Sequence, residues 1–270
     1  MKISAKATAV ALAVALTTPI AAEAHRAWFL PSATVLSGDD PWITVDAAIS
    51  NDLFYFEHHA MRLDGLQIIG PGGAAVAPEN MATGRFRTSF DVHLAKPGTY
   101  RIVLDGDSLT ARYTVNGERR RWRGTPETLS EIPAGAKDLE IGESQRRLET
   151  FVTSGAPDDA ALKPTGQGLE MVPLTHPNDL YAGEEARFRL LMDGKPVAGL
   201  DVSVIPGGVR YRDSLNEMAL TTDADGVFAV TWPRPGYYWV SASVRDAAPS
   251  VPQATRRSVS YAATLEVLSP

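Results

Sequence analysis

Apolar and polar residues alternate along much of the chain, and a period of two predicts β-strands. In residues 41–50, the buried-type positions Ile43 and Val45 alternate with polar side chains, as in a strand with one face in a core. Residues 86–104 show the same alternation on both sides of a Lys-Pro-Gly turn. Short strands separated by turns are typical of antiparallel sandwiches, so we expect a first β-sandwich over residues 25–117.

A second run of alternating strands begins near residue 168 and reaches the end of the chain. Its turns carry strong signals at Asp193-Gly194 and Asp225-Gly226, and the last strand reads "RRSVSYAATLEVLS". We expect a second Ig-like sandwich over residues 168–270. The fold class predicted from these patterns is all-β, with two Ig-like or transthyretin-like antiparallel β-sandwich domains.

Residues 118–167 interrupt the alternation. They contain a basic cluster of four arginines around Trp122 and a Thr125-Pro126-Glu127 sequence typical of a helix start. The stretch "SGAPDDAALKPTGQG" then has the composition of a linker. We therefore expect residues 118–167 to form a partly helical connector between the two sandwiches. The basic cluster could bind an anion or a partner protein, but we favour a solvated connector, because charge runs are usually solvent-exposed.

The first 24 residues predict a secretory signal peptide. Lys2 and Lys6 precede a short uncharged apolar run, and Ala22-Glu23-Ala24 fits the small-x-small cleavage pattern. The run is shorter than the roughly 20 residues that a membrane span requires. We expect export to the periplasm, a mature protein that does not span the membrane, and His25 as its first residue.

Composition excludes several classes of function. The formal charge of −6 argues against a nucleic-acid partner, which would need a basic face. The chain has no cysteine, so thiolate chemistry and disulfides are excluded. The sequence contains no serine-hydrolase, zinc-protease or phosphate-loop motif, and we expect a protein that is not an enzyme.

Several stretches resemble one family of exported bacterial proteins. They are "AHRAWFLPS", "GLEMVPLTHPNDLYAGEEARFRLLMDGKPVAG", "PGGVRYRD" and "LTTDADGVFAVTWPRPGYYWV". Together they resemble the DUF4198 family, whose domain label is associated with nickel uptake. The resemblance implies a role near metal transport, with a membrane metal-transport protein or an outer-membrane receptor as the partner. The C-terminal run is also similar to transthyretin-like modules, which support or bind.

His25 would be a ready-made metal ligand if cleavage follows Ala24. Its α-amino nitrogen and imidazole Nδ1 could chelate one ion, and a further imidazole would complete a three-nitrogen site. Such a site suits copper, with nickel or zinc also compatible by ligand type. The alternative is a histidine that follows the cleavage site by coincidence.

The remaining histidines supply the candidate partners. In "FYFEHHAMR", a strand would place His58 with Phe54 and Phe56 on one face and His59 with Glu57 on the other. We take His58 and His59 as the preferred partners of His25, and His93, expected on an exposed strand face, as the next. His176 precedes a proline in a turn-rich loop and is interpreted as structural. The predicted metal ligands are therefore His25, His58, His59 and His93.

These observations predict a periplasmic transition-metal-binding protein for the uptake or trafficking of nickel or copper. The alternative is an envelope scaffold or ligand-binding module without metal. A copper oxygenase built on an N-terminal histidine is a third hypothesis, but the sequence gives no sign of a substrate surface.

Overall fold

The computed structural model describes residues 25–270, so the predicted signal segment, residues 1–24, lies outside the described residues. The described part of the chain contains 19 strands and four short 3-10 helices. In chain order, the strands are β1 (Arg26–Pro31), β2 (Val35–Leu36), β3 (Trp42–Ser50), β4 (His59–Ala60), β5 (Leu66–Ile69), β6 (Ala75–Val76), β7 (Glu79–Thr83), β8 (Thr88–His93), β9 (Gly98–Val115), β10 (Glu118–Gly124), β11 (Lys137–Ser154), β12 (Leu169–Pro173), β13 (Glu185–Met192), β14 (Lys195–Pro196), β15 (Asp201–Pro206), β16 (Met218–Thr221), β17 (Val227–Thr231), β18 (Gly236–Ala247) and β19 (Arg256–Val267). The 3-10 helices are Pro71–Gly73, Pro126–Glu131, Ala160–Leu162 and Val209–Tyr211.

The strands form three sheets. The central sheet has 10 strands in the order β16-β15-β18-β19-β11-β9-β5-β6, with β10 added beside β9 and β2 beside β11. The N-terminal sheet has the order β1-β3-β8-β7, with β4 beside β3, and the C-terminal sheet has the order β12-β13-β14, with β17 beside β13. Most pairs are antiparallel, whereas β11 and β19 are parallel. The prediction of an all-β fold is therefore confirmed.

The two smaller sheets pack on opposite faces of the central sheet. On β11, Leu148 and Val152 point to the face that we call the front, where they join a core with the N-terminal sheet. Phe151 points to the back face and joins a core with the C-terminal sheet. The alternation of side chains along a strand explains this arrangement, because residues of odd and even number face opposite sides. Both faces of β11 are therefore buried in this region.

The structure corrects the expected connector at residues 118–167. Helical structure there is limited to the 3-10 turns at Pro126–Glu131 and Ala160–Leu162, and half of the segment is strand. The 18-residue strand β11 pairs with β9 on one side and β19 on the other. One hydrogen-bonded sheet therefore runs from the N-terminal half of the chain into the C-terminal half. No helix within residues 25–270 is long and apolar enough to cross a membrane.

The back face carries a buried charged cluster where β9, β11 and β12 meet. Arg147 donates from Nε to Asp105 Oδ1 at 2.8 Å and from Nη1 to Glu170. Glu149 is 1% exposed, and its Oε2 accepts a hydrogen bond from the Tyr261 hydroxyl at 3.0 Å. Its Oε1 lies 3.7 Å from Arg147 Nε. Buried charges persist when they are paired and hydrogen-bonded, and this cluster meets both conditions.

The hairpin predicted at Asp193-Gly194 is confirmed. Both residues have positive φ, 48° and 76°, which is the conformation that a two-residue turn of the primed type requires. Asp225-Gly226 also forms a turn, but it is not a hairpin. β16 before it pairs with β15 in the central sheet, whereas β17 after it pairs with β13 in the C-terminal sheet.

Candidate metal site

The candidate site is built on the loop at 51–58, which follows β3 and packs beside the start of β1. The expected strand through residues 54–59 is wrong, because β4 begins only at His59. Phe54 has φ of 62°, in the left-handed region, so the chain turns there and cannot continue as a strand. The face assignment that followed from a strand is therefore wrong as well: His58 and His59 are both exposed.

Glu57 holds this loop closed. Its Oε1 accepts hydrogen bonds from the backbone N–H groups of Asn51 and Asp52, each at 2.9 Å. Arg26, the residue after His25, donates from Nη1 to the carbonyl oxygen of Asn51 at 3.0 Å. One carboxylate and one guanidinium thus tie the loop to itself and to the first residues of β1. Glu57 acts here as a positioning group for the neighbouring histidines.

Aromatic packing fixes the other side of the loop. The rings of Phe54 and Phe56 lie 5.5 and 5.4 Å from the ring of Trp28, measured between centroids. Trp28 is fully buried and donates from Nε1 to the hydroxyl of Ser50 at 2.8 Å. The expectation that Phe54 and Phe56 belong to a core is confirmed, although both are only partly buried. Because these aromatic contacts hold the backbone of the loop in place, the exposed histidine side chains are attached at fixed positions.

The structure brings three of the four predicted ligands together. The imidazoles of His25 and His58 stack with centroids 3.8 Å apart and planes inclined by 10°. The centroids of His58 and His59 lie 4.7 Å apart, with planes inclined by 45°. All three side chains are exposed. Residues separated by more than 30 positions in the sequence therefore form one histidine cluster, which we define as His25, His58 and His59.

The surroundings of His58 favour its neutral imidazole. Desolvation lowers the pKa of His58 below its ordinary value of 6.5, and the positive charges of His25 and His59 lower it further, while Glu57 raises it. The Nδ1 atom of His59 lies 3.0 Å from the carbonyl oxygen of Ala60. A carbonyl only accepts, so Nδ1 is the protonated nitrogen in a neutral ring and Nε2 is left with the lone pair. Metal ions bind neutral imidazoles of this kind.

The cluster is not yet in a chelating arrangement. Within residues 25–270, no three His, Cys, Asp or Glu side chains are positioned to hold a metal ion together. Parallel stacked rings direct their nitrogen lone pairs in parallel planes, so His25 and His58 cannot both point at one ion while stacked. Rotation of the exposed His25 ring would release the stack, and such side-chain rotations are fast and involve small energies. The donor types fit a transition metal, and the required rearrangement is local.

His93 lies away from the cluster. It pairs with Trp42 at one end of β3, whereas Arg26 pairs with Ser50 at the other. The separation of eight positions between Trp42 and Ser50 corresponds to about 25 Å of strand. The His93 ring stacks on Trp42 with centroids 4.4 Å apart, and its Nε2 lies 2.5 Å from Asp40 Oδ1. The structure therefore does not bring His93 to His25.

His176 has the structural environment that the sequence suggests. Its Nδ1 accepts a hydrogen bond from the backbone N–H of Asn178 at 3.2 Å, and its Nε2 lies 3.0 Å from Thr99 Oγ1. With Nδ1 accepting, the neutral ring donates from Nε2 to the threonine. Burial lowers the pKa of His176 below 6.5, against the opposing effect of the nearby aspartates 158, 159 and 179.

A cleft at the Pro31 end of β1 is a feature that sequence reasoning missed. It has a volume of about 620 Å³ and lies between β1, the 51–58 loop and the loops around residues 206–212 and 234–238. Phe54, Tyr211, Arg234 and Tyr237 contribute to its wall, and Tyr211 is 84% exposed. These residues come from distant segments that are not periodic in the sequence, so no local pattern predicts the cleft. The "PGGVRY" and "RPGYY" motifs, which combine turn residues with arginine and tyrosine, are the sequence features that could have indicated it.

The fold and this cluster define an all-β protein with exposed histidines at the start of its first strand. The chain belongs to the family described as "Domain of unknown function (DUF4198)", whose model matches residues 22–246. No curated protein matches the chain.

Solved structures with some similarity include two pieces of intimin. The D0-D1 domain of intimin is 14% identical, covers 89% of this chain and 97% of its own, and gives a TM-score of 0.23. The D00-D0 domain of intimin is 10% identical, covers 90% of this chain and 100% of its own, and also gives a TM-score of 0.23. The Bacillus anthracis TIE protein is 12% identical over 90% of this chain and 39% of its own, with a TM-score of 0.18.

Proposed function

We propose that this chain is a periplasmic protein that binds a transition metal ion through the histidine cluster and serves metal uptake or trafficking. Nickel and copper are the leading cargo ions, and zinc is a third candidate. The observation that supports the proposal is the approach of His25 to His58, with ring centroids 3.8 Å apart. Two histidines 33 positions apart in sequence meet on the surface, at the residue that signal cleavage after Ala24 would make the N-terminus.

Cleavage after Ala24 would add the ligand that the cluster lacks. The new α-amino group of His25 and its Nδ1 would form one chelate ring, and the contact of His59 Nδ1 with Ala60 would leave Nε2 of that ring as the donor to the metal. His58 would provide the remaining nitrogen once the stack opens. A site of three or four nitrogen donors suits copper and nickel, and imidazole also accepts zinc. Affinity would fall with falling pH, because each donor must be unprotonated to bind.

The exposed position of the cluster favours transfer of the ion over permanent storage. All three rings are reachable from solvent, so a membrane metal-transport protein or an outer-membrane receptor could take the ion directly. We also propose that the sheets correspond to two Ig-like sandwiches that share the central sheet. Under this proposal the chain binds a metal ion and delivers it to a partner protein, and it is not an enzyme. The fold positions β1 and the 51–58 loop, and the histidines do the binding.

Native mass spectrometry tests the proposal on protein exported to the periplasm and offered copper, nickel and zinc in turn. We expect a mature chain that begins at His25 and retains one ion. An added residue before His25 should abolish tight binding because it removes the chelating amine. Substitution of His58 or His59 by alanine should weaken binding at least about tenfold. His93→Ala is the matched control and should bind as the unmodified chain does.

A chain that begins at His25 and retains no metal would contradict the proposal. Equal losses in His93→Ala and His58→Ala would also contradict it, because only His58 contacts His25.

The cleft supports a second candidate, a ligand-binding or scaffolding module of the envelope without metal. Its volume of about 620 Å³ falls within the range of small-molecule pockets. A chain that binds no metal in the experiment above would favour this alternative.

A further inference from the structure

The front face of the central sheet carries an arginine array beyond the part that the N-terminal sheet covers. We define the arginine face by its six arginines, which lie on four neighbouring strands: Arg112, Arg119, Arg121, Arg123, Arg146 and Arg256. Strand register places them on one side. Arg121 pairs with Arg112, Arg146 lies opposite Gly106, and Arg256 lies opposite Gly142.

Two glycines confirm that these side chains lie over the front face. A Cβ built on Gly142 would meet Arg256 Nε at 3.1 Å, and one built on Gly106 would meet Arg146 Nη2 at 3.6 Å. The guanidinium groups thus lie across neighbouring strands at positions where no side chain obstructs them. All six arginines are exposed.

The arginine face differs from the back face directly behind it. On the back, Arg147 and Arg257 are adjacent in sequence to Arg146 and Arg256, but both are engaged by carboxylates. Among the described side chains of residues 25–245 and 247–270, no ion pair involves any of the six arginines of the front. Glu140, opposite Arg112, is the acidic side chain in these rows. A chain with a net charge of −6 therefore concentrates positive charge on one face.

The side chains between the arginines decide which partner fits. Beyond the part that the N-terminal sheet covers, the paired front positions of β9, β10, β11 and β19 contain serine, threonine and glycine in addition to the arginines, Lys137 and Glu140, and no aromatic or aliphatic side chain. Protein–protein interfaces are usually centred on buried apolar or aromatic anchors, which this face lacks. The apolar residues of the same hairpin, including Leu109 and Trp122, point to the back and pack there.

We propose that the arginine face binds the surface of an anionic phospholipid membrane. Guanidinium groups form paired hydrogen bonds with phosphate oxygens, and hydroxyl side chains between them can donate to the same groups. Four adjacent strands give a face about 15 Å wide, on which several headgroup phosphates can be contacted at once. β1 packs on this same front face, so membrane binding would keep the histidine cluster on the membrane-facing side.

The binding does not depend on the proposed metal function. The arginine face and the histidine cluster share no residue, so either proposal can fail while the other stands.

Vesicle co-sedimentation tests the proposal with the chain that begins at His25, which contains every described residue. We expect binding to vesicles of phosphatidylglycerol and phosphatidylethanolamine, none to phosphatidylcholine vesicles, and a loss of binding as salt is raised. The triple variant Arg119→Gln, Arg121→Gln, Arg123→Gln keeps two of the three methylenes of each side chain and removes the charge. Each arginine near an anionic surface contributes about fivefold, so the three together should weaken binding on the order of 100-fold.

A matched control removes the same charge elsewhere. Arg85, Arg187 and Arg210 are exposed and lie outside the arginine face, and their triple glutamine variant should bind vesicles nearly as the unmodified chain does. Glu140→Gln should strengthen binding, because it removes the acidic group from the face.

Three results would overturn the proposal. The first is that the unmodified chain does not bind anionic vesicles, and the second is that the two triple variants lose binding equally. The third is that inorganic phosphate displaces the chain from the vesicles, while sodium chloride at the same ionic strength does not. The last result would mean that the face takes free phosphate. Circular dichroism would establish that both triple variants are folded.

Discussion

The indole of Trp239 donates a hydrogen bond from Nε1 to the carbonyl oxygen of Ala27 at 3.1 Å. The two residues are 212 positions apart, and the bond joins β18 of the central sheet to β1, the strand that carries His25 at its start. The Tyr237 hydroxyl donates in the same way to Pro31 at 2.7 Å. Side chains from the C-terminal half of the chain therefore position the first strand, and with it the histidine cluster.

Trp239→Phe should lower the free energy of unfolding by about 1–2 kcal/mol, because it removes one hydrogen bond and part of an aromatic ring. Urea denaturation followed by circular dichroism would measure the change. Trp42→Phe provides the control: Trp42 is 41% exposed at the far end of β3, and we expect a change of less than about 0.5 kcal/mol there. Equal effects of the two substitutions would show that the bond to Ala27 does not hold β1.

The strands of residues 25–117 and 168–270 were predictable because their apolar residues alternate with a period of two. β11 was not. Its buried residues include Glu143 and Glu149, which a sequence pattern reads as exposed. They are satisfied by Ser250, Tyr261 and arginines of other strands, and these contacts depend on the tertiary fold. The buried part of β11 therefore contains charged residues, and its local sequence looks like that of a solvent-exposed connector.

The candidate site was partly predictable for a similar reason. Residue chemistry selected His25, His58 and His59, and the structure brings their rings together. The strand that periodicity predicted in the 51–58 loop is wrong, because the chain turns at Phe54 with a positive φ. Phenylalanine rarely adopts this conformation, and the local sequence does not indicate it. His93 resembled the other histidines by type, and only the strand register shows that it lies at the opposite end of β3.

Glu57→Ala should weaken copper binding by the chain that begins at His25 about tenfold, because it frees the loop that presents His58 and His59. Glu57→Gln should bind nearly as tightly as the unmodified chain, since an amide oxygen can still accept from Asn51 and Asp52. Competitive titration with a chelator of known affinity would give both values. If both variants lost binding equally, Glu57 would be a metal ligand and its positioning role would be wrong.

Glu149→Ala should cost about 3–5 kcal/mol of unfolding free energy, because it leaves the buried Arg101 without its carboxylate partner and removes one of the three carboxylates around Arg147. The relevant guanidinium atoms, Arg147 Nε and Arg101 Nη1, lie 3.7 and 3.9 Å from Glu149 Oε1. Glu140→Ala removes the same side chain from an exposed position of the same strand, and chemical denaturation should show a change of less than about 0.5 kcal/mol. A small effect at both positions would mean that the buried cluster contributes little to stability.

His176 should make the stability of the protein depend on pH in mildly acidic solution. Its folded-state pKa is lowered by burial from an ordinary value of 6.5. The unfolded chain therefore takes up a proton at higher pH than the folded chain, and protonation favours unfolding. The stabilising contribution of neutral His176 is complete above about pH 6.5 and is lost as pH falls through the lowered pKa.

His176→Asn isolates this contribution, because an amide oxygen can still accept from the backbone N–H of Asn178 but does not titrate in this range. Urea unfolding at pH 7 and pH 5 should show a larger loss of stability for the unmodified chain than for the variant. The aspartates at 158, 159 and 179 are present in both chains, so their own protonation cancels to a first approximation. An equal or larger pH-dependent loss in His176→Asn would show that the ring accepts a proton without cost to the folded state.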